Sequence, residues 1–263
     1  MRYRLSKHQI EQFKRDGFIS FKLDLDDRYL DKIVQTLGPC YESDDSPGFF
    51  RHGTRIENAW YGHRPVRLLA TNSQILNVLY QLFGRKPLPF QTLNFPVGTE
   101  QRAHSDTIHF NSEPGGYLAG VWVALEDVDS ANGPLVYYPS SHKLPEYNMQ
   151  QSGVGIGYEN YAGYEKFIAR KIREQNLEPS YGVLSKGSAF IWHGNLLHGG
   201  APQKDKDRTR HSQVTHYYFE GCRYYAPMKS TPDSTVFHNP PFVSTRAALS
   251  RRLKKKLKEI LFH

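Results

Sequence analysis

Apolar residues recur every three or four positions in three stretches of the first third of the chain, a period typical of amphipathic helices. Each stretch is followed by a glycine, and glycine commonly ends helices because it adopts a left-handed backbone without strain. The predicted helices run from Ser6 to Gly17, over residues 27–37 and over residues 71–82. The polar residues 41–63 are predicted to form a loop.

Beyond residue 84 the pattern changes to short runs rich in aromatic and β-branched residues, which predict strands. The runs cover 89–96, 101–107, 117–125, 135–138, 187–192 and 211–220. Asn132-Gly133 favours a hairpin before the fourth run. Residues 144–182 read as an insertion that ends in a charged helix. Helices followed by about eight strands predict a mainly β protein with flanking helices, a double-stranded β-helix (jelly-roll, cupin-like) barrel.

The length and composition narrow the protein class. A chain of 263 residues is long enough to bury a core, and 17 Tyr and 15 Phe suit strands and a binding cleft. The sequence shows no signal peptide and no run of 18 apolar residues, so we expect no membrane span. With two cysteines, Cys40 and Cys222, a disulfide framework is excluded and a cytoplasmic location is expected.

The positive charge is concentrated at the C-terminus. The formal net charge is +8, and residues 244–263 contain seven Lys or Arg against the single acid Glu259. The rest of the chain is therefore close to neutral and has no basic stripe, so no nucleic-acid partner is expected.

The strongest sign of chemistry is His104-Ser105-Asp106. If these residues lie on a strand, alternate side chains share a face, so His104 and Asp106 offer two neighbouring metal ligands. Two histidines and one carboxylate form the facial triad of non-haem Fe(II) oxygenases. The motif alone also fits a solvated strand end, so a third ligand is needed.

The third ligand is expected downstream, where His193 and His198 both qualify and the residues alone do not choose between them. Arg210-His211-Ser212 follows. An Arg-x-Ser pair places a guanidinium and a hydroxyl on one face, and guanidinium binds carboxylates through two parallel hydrogen bonds. This pair predicts a receptor for the distal end of a dicarboxylate, which together with iron indicates 2-oxoglutarate.

Several motifs in order resemble the phytanoyl-CoA dioxygenase family, which includes ectoine hydroxylases. They are residues 11–18, His104-x-Asp106, residues 124–143, His198-Gly199 and Arg210-x-Ser212. The resemblance covers roughly residues 6–220. This chain departs from it at Ser140, where the family commonly has glycine, and in a slightly longer spacing from the distal histidine to the arginine, which leaves Arg208 as a rival to Arg210.

The resemblance implies a site and a reaction. The metal ligands would be His104, Asp106 and His198, and the co-substrate ligands Arg210 and Ser212, with Gln91 and Asn94 as further contacts; His104, Asp106, His198 and Arg210 would be the catalytic set. It implies Fe(II), 2-oxoglutarate and O2 as cofactor and co-substrates. The reaction would hydroxylate an unactivated C–H bond and release succinate and CO2.

The substrate is less well marked. Residues expected near the pocket mouth are His109, Tyr117, Trp122, Tyr137, His193 and Arg55. Aromatic rings mixed with histidines favour a small polar, sugar-like, glycan or lipid-linked substrate. The alternative is a non-catalytic jelly-roll module that binds a metal or a sugar, although such a module has no need of a carboxylate receptor.

Residues 1–243 are predicted to form one oxygenase domain and residues 244–263 a basic amphipathic helix. Leu249, Leu253 and Leu257 recur every four residues, with lysines and arginines on the other faces. Such a helix either packs on the barrel or lies on an anionic membrane. The second reading predicts peripheral attachment at the inner face of the membrane.

Overall fold

The computed structural model describes residues 3–42, 50–52, 55–231 and 233–244. Its helices are α1 Lys7–Asp16, α2 Asp27–Glu42, α3 Arg64–Ala70, α4 Ser73–Phe83 and α5 Tyr161–Glu174. Its strands are β1 Phe18–Lys22, β2 Phe50–His52, β3 Arg55–Glu57, β4 Pro87–Phe95, β5 Asn111–Glu113, β6 Leu118–Ala124, β7 Leu135–Tyr137, β8 Ser180–Gly182, β9 Ser188–His193, β10 His198–Gly200, β11 Ser212–Phe219, β12 Arg223–Tyr225 and β13 Phe237–His238.

The three predicted helices are confirmed, with local differences. At the start of α1, the Ser6 side chain accepts from the Gln9 backbone N–H, and the Gln9 side chain accepts from the Ser6 backbone N–H. At its end, Gly17 takes the left-handed conformation at φ 83°. Helix α2 continues past Gly38 and through Pro39 to Glu42. Helix α3 was not predicted, and strands β2 and β3 lie in the predicted loop.

A seven-stranded antiparallel sheet, in the order β1-β9-β6-β11-β4-β3-β2, forms the centre of the fold. Helices α1 to α4 supply apolar side chains to a cluster on one face of this sheet. On the other face lies a smaller sheet, β10-β7-β8, and a third sheet pairs β13, β12 and β5. This is the predicted jelly-roll fold, with the pocket described below between the large and the smaller sheet.

Two local predictions are wrong. Residues 101–107 do not form a strand: His104 makes an isolated bridge to His198, and Asp106 begins a short 3-10 helix. The Asn132-Gly133 turn does not close a hairpin, because β6 and β7 belong to different sheets. Asn132 is buried, and its amide nitrogen donates to the carbonyls of Asp127 and Thr209, so the turn fixes the passage between sheets.

The predicted insertion supplies part of the fold. Helix α5 buries Tyr164, Phe167 and Ile168, and β8 extends the smaller sheet. Within the described ranges, every helix is too short or too polar to cross a membrane. The predicted basic helix over 244–263 lies outside the described residues, apart from Ser244.

Candidate metal centre

The fold brings His104, Asp106 and His198 together at one end of the pocket. His104 and His198 exchange two backbone hydrogen bonds of 2.9 Å, which hold the loop before Asp106 against β10. His104 Nε2 and His198 Nε2 lie 3.9 Å and 3.7 Å from Asp106 Oδ1. One ligand atom from each residue lies within 4.8 Å of the other two, and all three residues are buried. This spacing suits one metal ion bound by two nitrogens and one oxygen.

In both imidazoles Nδ1 binds a backbone carbonyl, so that Nε2 points toward the cluster. His104 Nδ1 donates to the Arg102 carbonyl at 3.0 Å, and His198 Nδ1 donates to the Leu196 carbonyl at 2.9 Å. Each ring therefore presents the Nε2 lone pair to the centre of the cluster. Burial, together with the neighbouring His198, lowers the pKa of His104 to about 3, so this ring is neutral at physiological pH.

The second oxygen of Asp106 is also held. The indole N–H of Trp192 donates to Oδ2 at 2.7 Å, and His216 Nε2 lies 3.4 Å from the same atom. Burial by itself raises the pKa of the Asp106 carboxyl, but His198 and His216 outweigh this and hold the pKa well below its usual range. The carboxylate is therefore ionised, with Oδ1 directed at the histidines.

A buried arginine lies at the other end of the same pocket. Arg210 is 5% exposed, its guanidinium lies over the Trp122 ring at 5.4 Å, and it donates to Ser212 Oγ. Its Nε has no hydrogen-bond partner, and no carboxylate among the described residues forms an ion pair with it. Burial lowers the pKa of Arg210 to about 10, although Glu126 opposes this, so the group stays charged at neutral pH.

The walls between the metal cluster and Arg210 are mostly apolar. The lining residues are Leu93, Phe95, Thr99, Gln101, His104, Asp106, Trp122, Leu135, Trp192, His198, Gly199, Gly200, Arg210, Val214 and His216. The pocket encloses about 530 Å³ of space, counting its open mouth. The pocket therefore joins the metal ligands to a buried cation along apolar walls.

Aromatic residues from the insertion stand beside the metal ligands. The His109 ring lies 6.0 Å from that of His104 and 5.9 Å from that of Tyr158, nearly parallel to the latter. Tyr161 Oη lies 3.3 Å from His109 Nε2. Arg55 is close enough for its charge to lower the pKa of His109, after the larger effect of burial.

The structure does not bring all predicted residues to the pocket. Tyr117 packs under Arg85 and against Phe219, on the helix-covered face of the sheet. Tyr137 packs between Phe18 and Phe190 in the core. Neither ring is at the mouth, because Tyr117, just before β6, packs on the helix-covered face and Tyr137 of β7 packs among apolar rings.

His193 and Asn94 also lie elsewhere. His193 accepts a hydrogen bond from the Asn195 backbone and packs near His142 and Phe83, so the structure brings His198 and not His193 to the cluster. The amide of Asn94 donates to Gln213 on the face of β4 away from the pocket.

Two further predicted residues have other contacts. Gln91 lies behind the pocket wall, with Oε1 2.9 Å from His216 Nδ1. Arg208 pairs with Asp129 at 2.8 Å on the surface, which leaves Arg210 as the arginine in the pocket.

Sequence reasoning missed four residues around the cluster: Trp192, His216, Tyr158 and Tyr161. A usable signal for the first two was Gly120, because an isolated glycine inside a strand often marks a close approach by another group. The Tyr-rich insertion was visible in the sequence, but nothing local placed it beside His109.

Solved structures with a similar fold share little sequence with this chain. The α-ketoglutarate-dependent carbocyclase SnoK from nogalamycin biosynthesis has a TM-score of 0.69 and 16% identity, covering 91% of this chain and 97% of its own. EctD from S. alaskensis, solved with 2-oxoglutarate and 5-hydroxyectoine, has a TM-score of 0.65 and 19% identity, covering 91% and 86%. At this identity the likeness shows the fold alone.

Sequence relatives point the same way. Peroxisomal phytanoyl-CoA dioxygenase of Bos taurus is 29% identical over 125 residues, which cover 46% of this chain and 34% of that protein. Phytanoyl-CoA dioxygenase domain-containing protein 1 of Danio rerio is 27% identical over 169 residues, which cover 62% and 56%. The matched region thus spans between a third and a little over half of these two relatives. The family model for phytanoyl-CoA dioxygenase (PhyH) matches residues 13–212, and the chain belongs to this family.

Proposed function

We propose that this protein is an Fe(II)- and 2-oxoglutarate-dependent dioxygenase that hydroxylates a C–H bond of a small polar or sugar-like substrate. One observation carries the proposal. A cluster of two imidazole nitrogens and one carboxylate oxygen shares a pocket with a buried arginine whose Nε has no partner. Family membership and neighbours solved with Fe and α-ketoglutarate support it.

The three ligands suit Fe(II). Two imidazoles and one carboxylate are the donor set of the non-haem oxygenases, and they leave open positions on the metal. In this role, His104 and His198 bind through Nε2, and their Nδ1–H bonds to backbone carbonyls fix the ring orientations. Bound iron would supply the activation of O2, for which 2-oxoglutarate provides two electrons as it decarboxylates to succinate.

The arginine gives 2-oxoglutarate a direction. Arg210 has a buried donor with nothing to bind, which is costly unless a ligand satisfies it. A carboxylate at the end of the pocket would accept from Arg210 and from Ser212, leaving the opposite end of the molecule at the metal ligands. Leu93, Phe95 and Val214 line the walls between and exclude water.

The substrate is proposed to bind at the aromatic side of the metal ligands. Tyr158 is 59% exposed and nearly parallel to His109, and Tyr161 Oη lies beside the same imidazole. The ion pair of Arg55 with Glu57 contributes polar groups nearby. Rings combined with hydrogen-bonding and charged groups favour a polar or sugar-like molecule over a bare acyl chain.

Succinate formation tests the reaction class. The purified chain is incubated with Fe(II), 2-oxoglutarate and O2, first alone and then with pooled polar metabolites and glycans. We expect succinate above the enzyme-free control, increased by the fraction that contains the substrate. Anaerobic omission of O2 and the His198→Ala variant serve as matched controls.

The second candidate function is a binding module without redox chemistry. Metal binding with no succinate, even when the metabolite pools are present, would contradict the dioxygenase proposal and favour that module. The unpartnered Nε of Arg210 argues for the enzyme, since a metal or sugar binder needs no buried cation in the same pocket as its metal ligands.

Peripheral membrane attachment through residues 244–263 stays a prediction from the sequence pattern. Co-sedimentation with anionic vesicles tests it, by comparing the full chain with one ending at Val243. We expect only the full chain to pellet, and less of it at high salt. Equal pelleting of the two chains, or none by either, would contradict it.

A further inference from the structure

A row of side chains crosses five strands of the large sheet beneath the metal cluster. The strand register aligns Phe18 of β1, Trp192 of β9, Gly120 of β6, His216 of β11 and Gln91 of β4. Since partners at one register position face the same side, all five lie on the face of the sheet that carries the pocket, with Gln91 behind His216. Trp192 and His216, on either side of Gly120 in this row, both approach Asp106, which comes from a different part of the chain.

Gly120 has no side chain, and this leaves space for the indole of Trp192. A Cβ at this position would lie 2.1 Å from Cζ2 and 2.7 Å from Nε1 of Trp192, far inside any permitted contact. The indole therefore lies over Gly120 of β6, and its N–H reaches Asp106 Oδ2 at 2.7 Å. Any larger residue at 120 forces the indole away from the carboxylate.

His216 approaches the same oxygen from the far side of Gly120. Nε2 of His216 lies 3.4 Å from Asp106 Oδ2, within the range of an electrostatic contact with the carboxylate. Gln91 contacts Nδ1 of the same ring at 2.9 Å and holds its orientation. The rings of Phe90 and Phe110 pack at its sides.

We infer that Trp192 and His216 are positioning residues that hold Asp106 with Oδ2 occupied, so that Oδ1 alone is offered to a metal. This inference rests on the proposed function, because it concerns the same metal cluster. One oxygen in the ligand set leaves more of the coordination sphere open than two would. Partners that orient a ligand in this way typically change metal affinity by about 10- to 100-fold when removed.

Metal affinity tests the inference without requiring turnover. The dissociation constants for Fe(II), under anaerobic conditions, and for Co(II) are measured by chelator competition. We expect Trp192→Phe, which removes the N–H and keeps an aromatic ring, to weaken binding by about 10- to 100-fold. His216→Phe, which suits its aromatic surroundings, should weaken it similarly, and Gly120→Ala should do so by displacing the indole.

The controls separate a positioning role from general stability. Trp60→Phe removes another buried indole N–H, which donates to Asn58 at 3.2 Å far from the cluster, and Gly38→Ala adds a Cβ with nothing within 4 Å. Both should leave metal affinity unchanged, whatever their melting temperatures. If Trp192→Phe does not fold, His216→Phe decides the matter.

Two results are distinguishable. Wild-type protein that binds no metal would overturn the proposed function itself. Folded Trp192→Phe or His216→Phe that binds Fe(II) and Co(II) as tightly as a metal-binding wild type would overturn only the positioning role.

Discussion

The two faces of the large sheet are stabilised by different interactions, apolar packing on one and hydrogen bonds in a pocket on the other. Toward the helices, β6 and β9 contribute mainly apolar side chains, each at most 2% exposed: Ala119, Val121, Val123, Ala189 and Ile191. The exception is His193 at the end of β9. Toward the pocket, the alternate positions carry the indole rings of Trp122 and Trp192 and, at Gly120, no side chain. The indole N–H of Trp192 is a buried hydrogen-bond donor. The same strands thus serve two purposes, divided by the alternation of side chains.

The interactions on the two faces differ in how strongly they depend on orientation. Apolar burial is roughly proportional to area and depends little on orientation, so the helix-covered face tolerates changes that conserve volume. The pocket face depends on hydrogen bonds, and a buried donor left without its acceptor costs about 1–3 kcal/mol. We therefore expect substitutions on the first face to act on stability and substitutions on the second to act on binding.

The largest difference between the two faces is expected for two nearby histidines, His193 at the end of β9 and His198 at the start of β10. His198→Ala removes one of three metal ligands and should abolish metal binding and succinate formation, as should His104→Ala and Asp106→Ala. His193→Ala should retain the metal, because His193 faces Phe83 and His142. Equilibrium dialysis with Fe(II) or Co(II) measures this. Loss of metal in His193→Ala with retention in His198→Ala would reverse the assignment.

The next largest effect is expected at the other end of the pocket. Arg210→Ala should weaken 2-oxoglutarate binding by about 2–5 kcal/mol, since a buried charged contact is lost, while metal binding persists. Ser212→Ala should act in the same direction and less strongly. Arg208→Ala is the matched control, because its guanidinium pairs with Asp129 on the surface. Titration of the metal-loaded variants with 2-oxoglutarate checks it; an unchanged affinity in Arg210→Ala would contradict the proposed receptor.

The same division explains how far the sequence could predict the fold. Periodicity located α1, α2 and α4, because each buries one continuous apolar stripe. Helix α3 was missed because Arg64–Ala70 is too short for its period to stand out. The pairing of β6 with β9 and β11 could not be predicted, since it joins residues 66 to 100 positions apart and leaves no local trace.

For the site, the sequence supplied residue types and order. The sequence and its family resemblance predict five site residues, and the fold brings all five to one pocket or its edge: His104, Asp106, His198, Arg210 and Ser212. The reason first given for the pair His104 and Asp106 was wrong, since they do not share a strand face.

The residues that contact the metal ligand Asp106 could not be predicted from the sequence. The contact of Trp192 with Asp106 depends on the space above Gly120, and that space exists only after β6 and β9 pair. The prediction placed Tyr117 and Tyr137 at the mouth because an aromatic residue in or beside a strand fits a core as well as a cleft.

A substitution on the helix-covered face should give the opposite result to those in the pocket. Ile191 is 0% exposed and next in sequence to Trp192, but faces the helices. Ile191→Ala should lower the free energy of unfolding by about 2–5 kcal/mol through lost burial and a cavity. Urea denaturation measures this. Metal affinity of the folded variant should match wild type, and a large loss of affinity would show that the two faces are coupled.

The smallest effect is expected from acid. Burial and the nearby His142 lower the pKa of His193 to about 4, below the value of about 6.5 in unfolded chains. Below about pH 6.5 the unfolded state therefore binds a proton that the folded state does not, and stability falls as pH decreases toward 4.

His193→Gln keeps an acceptor for the Asn195 N–H and removes this titration. Between about pH 7.5 and pH 5, it should lose about 1–2 kcal/mol less unfolding free energy than wild type. Urea midpoints at the two pH values measure the difference, with His8→Gln, at an exposed position of α1, as control. Equal losses in wild type and His193→Gln would show that this imidazole does not contribute to the acid sensitivity of the fold.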